Sequence, residues 1–92
     1  MKQLEKEFVY DYHLYKQIDR DVDWAIYQRG IGSYEVIRIK IQNPTNIKFK
    51  TGAIIQLEEK EVYPHSESWG TDAYTEPTLE RCYERLYKMD LI

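Results

Sequence analysis

Apolar and polar positions alternate most cleanly between Tyr34 and Gln42, where Ile37, Ile39 and Ile41 are separated by Arg38 and Lys40 and followed by Gln42. A period of two with β-branched residues on one face predicts a half-buried strand. Earlier in the chain, Phe8-Val9-Tyr10 and Leu14-Tyr15-Lys16-Gln17-Ile18 flank Asp11-Tyr12, which reads as a tight turn between antiparallel strands. Asp19 to Asp23 is a polar turn leading into the apolar run Trp24-Ala25-Ile26-Tyr27-Gln28-Arg29. Gly30-Ile31-Gly32-Ser33 then permits a reversal, because glycine reaches positive φ without a Cβ clash. Asn43-Pro44-Thr45-Asn46 places Pro where a type I turn takes it, and Ile47-Lys48-Phe49-Lys50 resumes the alternation. The strands on either side of that turn therefore read as a hairpin. Ala53 to Tyr63 supplies one further strand.

After Pro64 the pattern changes. Residues 64–76 are polar and read as a structured loop, and a helix is expected over 77–90. Leu79, Cys82, Leu86 and Met89 recur on one helical stripe with Tyr83 beside them. Glu80 near the start and Arg85 and Lys88 near the end suit the helix dipole, and Thr75 or Thr78 can cap the N-terminus. The expected fold is a single α+β domain over 1–92: an antiparallel meander of about five strands within 1–63, with one C-terminal helix packed on one face. Ile37, Ile39, Ile41, Leu79, Cys82 and Leu86 are the expected core.

Length and composition narrow the function classes. Ninety-two residues, 42% of them apolar, make one small core rather than two domains with a cleft between them. No apolar run approaches the ~18 residues of a membrane span. The start, Met1-Lys2-Gln3-Leu4-Glu5-Lys6-Glu7, has no apolar segment of a secretory signal. A lone cysteine, Cys82, fits a reducing compartment, so the expected location is cytoplasmic.

Catalytic and metal-binding patterns are weak. His13, His65 and Cys82 form no local constellation, and Cys82 falls on the apolar helix stripe, where a thiol acts as a small hydrophobe. Asp19, Asp21 and Asp23 resemble the start of a calcium loop, but Trp24 and Gly30 stand where such a loop needs Gly and a bidentate Glu. Gly30-Ile31-Gly32 lacks the helix and Lys-Ser/Thr pair of a phosphate cradle. The expectation is no enzyme activity, no metal and no cofactor.

Charge and aromatic content say more. From Trp24 to Lys50 there are five basic residues (Arg29, Arg38, Lys40, Lys48 and Lys50) and one acid, Glu35; from Leu57 to Asp90 there are four basic residues and nine acids. The molecule is expected to be electrically two-sided. A basic sheet face with Arg38, Lys40, Lys48 and Lys50, near Tyr27 and Tyr34, is one way to hold single-stranded nucleic acid, although the net charge of −3 does not favour a dedicated binder. Nine tyrosines exceed the needs of a small core and are favoured at binding surfaces. Tyr12, Tyr27 and Trp24 are accordingly candidate anchors beside Arg29, Arg38 and Lys40.

The segment from Tyr63 to Glu80, including Tyr63-Pro64-His65-Ser66, Trp69-Gly70, Tyr74-Thr75 and Thr78-Leu79-Glu80, resembles a block found in small uncharacterised proteins of bacteriophages and mobile elements. Tyr34-Glu35-Val36 is similar to a strand of the same group. His65, where a small residue is usual, and Pro77 before Thr78 depart from it. The resemblance implies an accessory protein that binds, and can inhibit, a host macromolecule such as a restriction or CRISPR component. Independently of it, Trp69, Gly70 and Tyr74 read as a structural lock between loop and helix.

Overall fold

The alternation along the chain is realised as nine strands and one helix in the computed structural model, which describes residues 1–92. The strands are β1 (Glu7–Tyr10), β2 (His13–Arg20), β3 (Trp24–Arg29), β4 (Tyr34–Arg38), β5 (Lys40–Gln42), β6 (Thr45–Lys48), β7 (Ile54–Leu57), β8 (Lys60–Val62) and β9 (Ala73–Glu76), followed by α1 (Leu79–Lys88). The fold is α+β: an antiparallel sheet ordered β1-β2-β3-β4-β9, with the single C-terminal helix packed against β4 and β9. Asp11 and Tyr12 both take positive φ (50° and 65°), the geometry of a two-residue hairpin turn whose twist matches that of the strands.

Both faces of the sheet carry a core. Alternation along β3 sends Trp24 and Ile26 to the helix side, where they pack with Val36, Cys82 and Leu86. Ala25 and Tyr27 point the other way, into a cluster with Tyr15, Ile37, Ile39 and Ala73, flanked by Leu4, Phe8 and Tyr63. That second cluster is aromatic. Phe8 stacks on Tyr15 at 4.7 Å between centroids, and Tyr27 meets Phe8 and Tyr63 edge-on at 5.4 Å each. The Tyr27 hydroxyl donates to the Glu5 carbonyl at 2.7 Å, so the ring is buried with its polar end satisfied.

Several expectations are corrected. The helix begins at Leu79, with the Thr78 hydroxyl capping it by accepting from the Arg81 N–H. Residues 64–76 are not all loop: after a 3-10 turn at Ser66–Ser68, Ala73–Glu76 forms β9 and pairs with β4. The long strand through Ile41 is broken. β4 leaves the sheet at Arg38, and Lys40–Gln42 pairs instead with Lys60–Val62. Ile41 is therefore 45% exposed, not core, while Ile37 and Ile39 are buried. Nor do residues 40–42 and 47–50 pair as a hairpin: Thr45–Lys48 pairs with Ile54–Leu57, and the reversal lies at Phe49–Ala53. Gly52 supplies the positive φ of that turn, at 88°. β6 and β7 thus form a two-stranded arm projecting from the sheet. The radius of gyration of 15.3 Å exceeds the ~12 Å of a compact chain of this size.

The arm's root is fixed by one ion pair. Arg20 of β2 donates from both terminal nitrogens to Glu61 of β8, at 2.6 and 2.9 Å, and the Leu4 N–H donates to the same carboxylate at 3.0 Å. The Arg20 guanidinium, helped by that amide, holds the Glu61 carboxyl below its ordinary range.

Leu86→Ala and Ile37→Ala are each expected to cost about 2–5 kcal/mol in urea denaturation, whereas Ile41→Ala stays within about 1 kcal/mol. A depressed folded-state pKa stabilises the fold above the unfolded value of ~4.3 and loses that contribution as pH falls through the folded value. Glu61→Gln should consequently lower the urea midpoint at pH 7, and its gap from wild type should narrow as the pH falls below about 4.

Candidate interaction surfaces

The basic positions expected to share a face are divided by the fold. Asp72, in the turn before β9, binds both Arg38 (Nε to Oδ1, 3.2 Å) and Lys40 (Nζ to Oδ2, 2.9 Å). Arg38 also reaches the Met89 carbonyl at the C-terminal end of α1, at 3.4 Å. Lys40, with Arg38 beside it, holds the Asp72 carboxyl below its ordinary range. These two cations fasten β4 and β5 to the β9 turn and the helix end. Lys48 and Lys50 lie apart from them on the exposed arm, and neither joins an ion pair.

Of the other expected contact residues, Tyr27 is fully buried and Trp24 is 6% exposed, so both belong to the core and not to a surface. Arg29 lies on the aromatic side near Glu35, which is buried at the cross-strand position opposite Tyr27. Arg29 Nε, Glu35 Oε2 and the Tyr63 hydroxyl are all buried without a hydrogen-bond partner. Burial pushes the Glu35 carboxyl above its ordinary range, and the Arg29 charge and the nearby Tyr63 hydroxyl offset this only in part. Cys82 is buried, and its thiol is pushed up to about 11, chiefly by desolvation. That is the opposite of an activated nucleophile.

The Trp69–Tyr74 block closes on itself. Trp69 Nε1 donates to the Thr75 hydroxyl at 3.2 Å, and the Tyr74 hydroxyl donates to the Gly70 carbonyl at 2.7 Å. Gly70 at φ 95° makes the turn, and Arg85 lies 4.1 Å over the Tyr74 ring while pairing with Glu76. The contacts join the β8–β9 connection to the helix, the place expected for a lock.

Tyr12 is the expected anchor that the fold displays, at 97% exposure on the β1–β2 turn. It has companions that the sequence reading did not single out. Val9 and Leu14 are cross-strand partners on the helix side of β1 and β2, and Ile31 sits on the adjacent β3–β4 turn. Val9 and Ile31 are 72% and 100% exposed, and Leu14 is partly so. Leu14, Ile31, Gly30, Lys16 and Gln28 line a shallow hollow of about 270 Å³. The reason is one of reach. α1 packs most closely on β4 and β9, at the far edge from β1. It reaches β3 through Trp24 and Ile26, and the Arg20 end of β2 through a hydrogen bond from the Tyr83 hydroxyl to Asp19. That leaves β1 and the His13 end of β2 bare on that face. The signal was present in the sequence: Phe8 and Tyr15 turn inward, so their neighbours Val9 and Leu14 turn to the opposite face.

No protein-family model matches the chain, and neither a curated protein nor a solved structure matches it. No helix is long and apolar enough to cross a membrane.

A group whose folded-state pKa is raised destabilises the fold as pH rises from the unfolded value through the folded one. Glu35→Gln is expected to leave the urea midpoint unchanged near pH 4 and to raise it at pH 7. A lowered midpoint at pH 7 would mean that the Glu35 charge is better compensated by Arg29 than its burial implies.

Proposed function

We propose that this is a non-enzymatic interaction protein, encoded by a phage or mobile element, that binds and inhibits a host protein of the restriction or CRISPR class in the host cytoplasm. The observation carrying the reading is the apolar shelf of Val9, Leu14 and Ile31, bordered by Tyr12. A small domain that leaves Ile31 wholly in water beside the largely exposed Val9 and the partly exposed Leu14, on neighbouring strands and turns, has the surface character of a protein-binding patch. Tyr12 adds an amphipathic anchor with few rotamers to lose. The host assignment rests on the sequence resemblance, and the choice of surface on the geometry. Single-stranded nucleic acid has weaker support. Two of the four cations in that reading are engaged by Asp72, and the other two stand on a separate ribbon.

The test is retention of host proteins from lysate by wild type, by Ile31→Asp/Tyr12→Ala, and by Arg38→Glu/Lys40→Glu. The shelf variant should keep its urea midpoint and lose at least about tenfold in affinity for the retained protein, about 1.4 kcal/mol. The Arg38/Lys40 variant should lose binding only as far as it loses stability. Equal retention by wild type and a folded shelf variant would refute the reading.

A further inference from the structure

The aromatic face of the sheet ends in a pocket. Alternation along β1 sends Phe8 and Tyr10 to that face, and the chain leaving β8 lays Tyr63, Pro64 and Trp69 beside them, around a hollow of about 320 Å³. Tyr63 stands edge-on to Phe8 at 5.6 Å and stacks obliquely with Trp69 at 6.4 Å, so the three rings make one connected wall. Pro64 is buried, while Tyr10 and Trp69 are 69% and 37% exposed. His65 and Ser66 complete the lining, and none of these residues carries a charge at pH 7. A concave aromatic site with a few polar groups is the usual form of a ligand pocket.

Charge around the pocket has one sign. The two stretches that build it, residues 7–15 and 63–80, contain six acids and no lysine or arginine. Glu7, Asp72 and Glu76 are taken up in ion pairs with Lys16, Lys40 and Arg85. Asp11, next to Tyr10, and Glu67, next to Ser66, are in none. Arg29 reaches the same face from β3, but its charge meets the buried Glu35. An anion therefore finds no counter-ion here, while a cation finds electron-rich rings and two free carboxylates. The molecule already uses this combination internally. Arg85 lies 4.1 Å over the Tyr74 ring while its Nε donates to Glu76 at 3.0 Å. We infer that the pocket takes an arginine side chain of a partner protein, its guanidinium laid against Trp69 and Tyr10 and its charge balanced by Asp11 and Glu67. Arginine suits it better than lysine, because the flat, weakly hydrated guanidinium stacks on aromatic rings at a lower desolvation cost. The site lies on the face of β1 opposite Val9, so it does not depend on the shelf.

The probe is the blocked tripeptide acetyl-Gly-Arg-Gly-amide, set against its lysine counterpart and against citrulline, the uncharged isostere of arginine. Nitrogen–proton NMR of the full chain follows the two tryptophan indole signals at low and moderate salt. The arginine peptide should shift the Trp69 signal saturably, in the millimolar range, and leave that of the buried Trp24 in place. The lysine peptide should bind about threefold more weakly or worse, and the citrulline peptide about tenfold. Asp11→Asn/Glu67→Gln should weaken the arginine peptide about fivefold at low salt and less at moderate salt. That variant should keep the wild-type urea midpoint, since Asn tolerates the positive φ that Asp11 holds in its turn. Ile31→Asp/Tyr12→Ala should bind the tripeptide as wild type does, which keeps this site apart from the shelf. A Trp69 signal that never moves, or a citrulline peptide that binds as tightly as the arginine one, overturns the proposal. Unchanged binding by the folded carboxylate variant does the same. Lysine binding as tightly as arginine would overturn it in favour of a site for ammonium groups.

Discussion

A single buried carboxylate, Glu61, decides where the chain leaves its sheet. Its bidentate pair with Arg20 joins β8 to β2, and its bond from the Leu4 amide brings the N-terminal segment over the aromatic face. Backbone bonding reinforces the junction, with the Glu61 N–H donating to the Lys2 carbonyl at 2.8 Å. Truncating Arg20 leaves the Glu61 carboxylate buried with only the Leu4 amide as partner, a costlier defect than losing an exposed pair. With β8 held there, β5 finds its partner outside the main sheet, and the chain beyond has no layer to rejoin until β9. The projecting arm is a consequence of that anchorage.

The tyrosine content follows from the same arrangement. The side of the sheet away from the helix has no second helix to cover it. It is closed by Leu4, Phe8 and Tyr63 packing on Tyr15 and Tyr27. Long amphipathic rings suit a thin layer of this kind, because they fill its depth and still place a hydroxyl on a backbone carbonyl, as Tyr27 does with Glu5. Of the nine tyrosines, Tyr15, Tyr27 and Tyr63 belong to this second core, Tyr34 and Tyr83 flank the first, and Tyr10, Tyr12 and Tyr87 stay exposed. The exposed aliphatic pair Val9 and Leu14 lies on the opposite face, beyond the reach of one ten-residue helix.

Local signals carried much of the fold. The Asp11-Tyr12 turn, the amphipathic stripe of α1 and the alternation through Ile39 could each be read from neighbouring residues alone, and each has its counterpart in the structure. The errors came where pairing is nonlocal. Nothing near Ile41 announces that its strand breaks at Ile39, since the break depends on Lys60–Val62 about twenty residues ahead and on Arg20 as far behind. β9 was hidden for a related reason: Ala73-Tyr74-Thr75-Glu76 is short and half polar, and it becomes a strand because β4 offers an open edge. Of the surface residues expected to act, Tyr12 could be found because a tyrosine in a two-residue hairpin turn has nowhere to be buried. Tyr27 misled because burial of both sheet faces is not visible in a six-residue run.

Charge patterning illustrates the limit most clearly. A basic segment followed by an acidic one suggests a field across the molecule, yet a field requires charges left free. Asp72, from the acidic half, sits between Arg38 and Lys40, from the basic half, and Glu61 absorbs Arg20 in the same way. The fold uses opposite charges of the two halves to fasten the β9 turn and the arm's root to the sheet. Of the four cations expected to share one face, Lys48 and Lys50 escape this internal pairing, on the arm, and a row of aliphatic side chains stands exposed at the β1–β2 and β3–β4 turns. In the function proposed above, recognition would rest on apolar contact at the shelf of Val9, Leu14 and Ile31, with charge setting orientation and not supplying the bulk of the affinity.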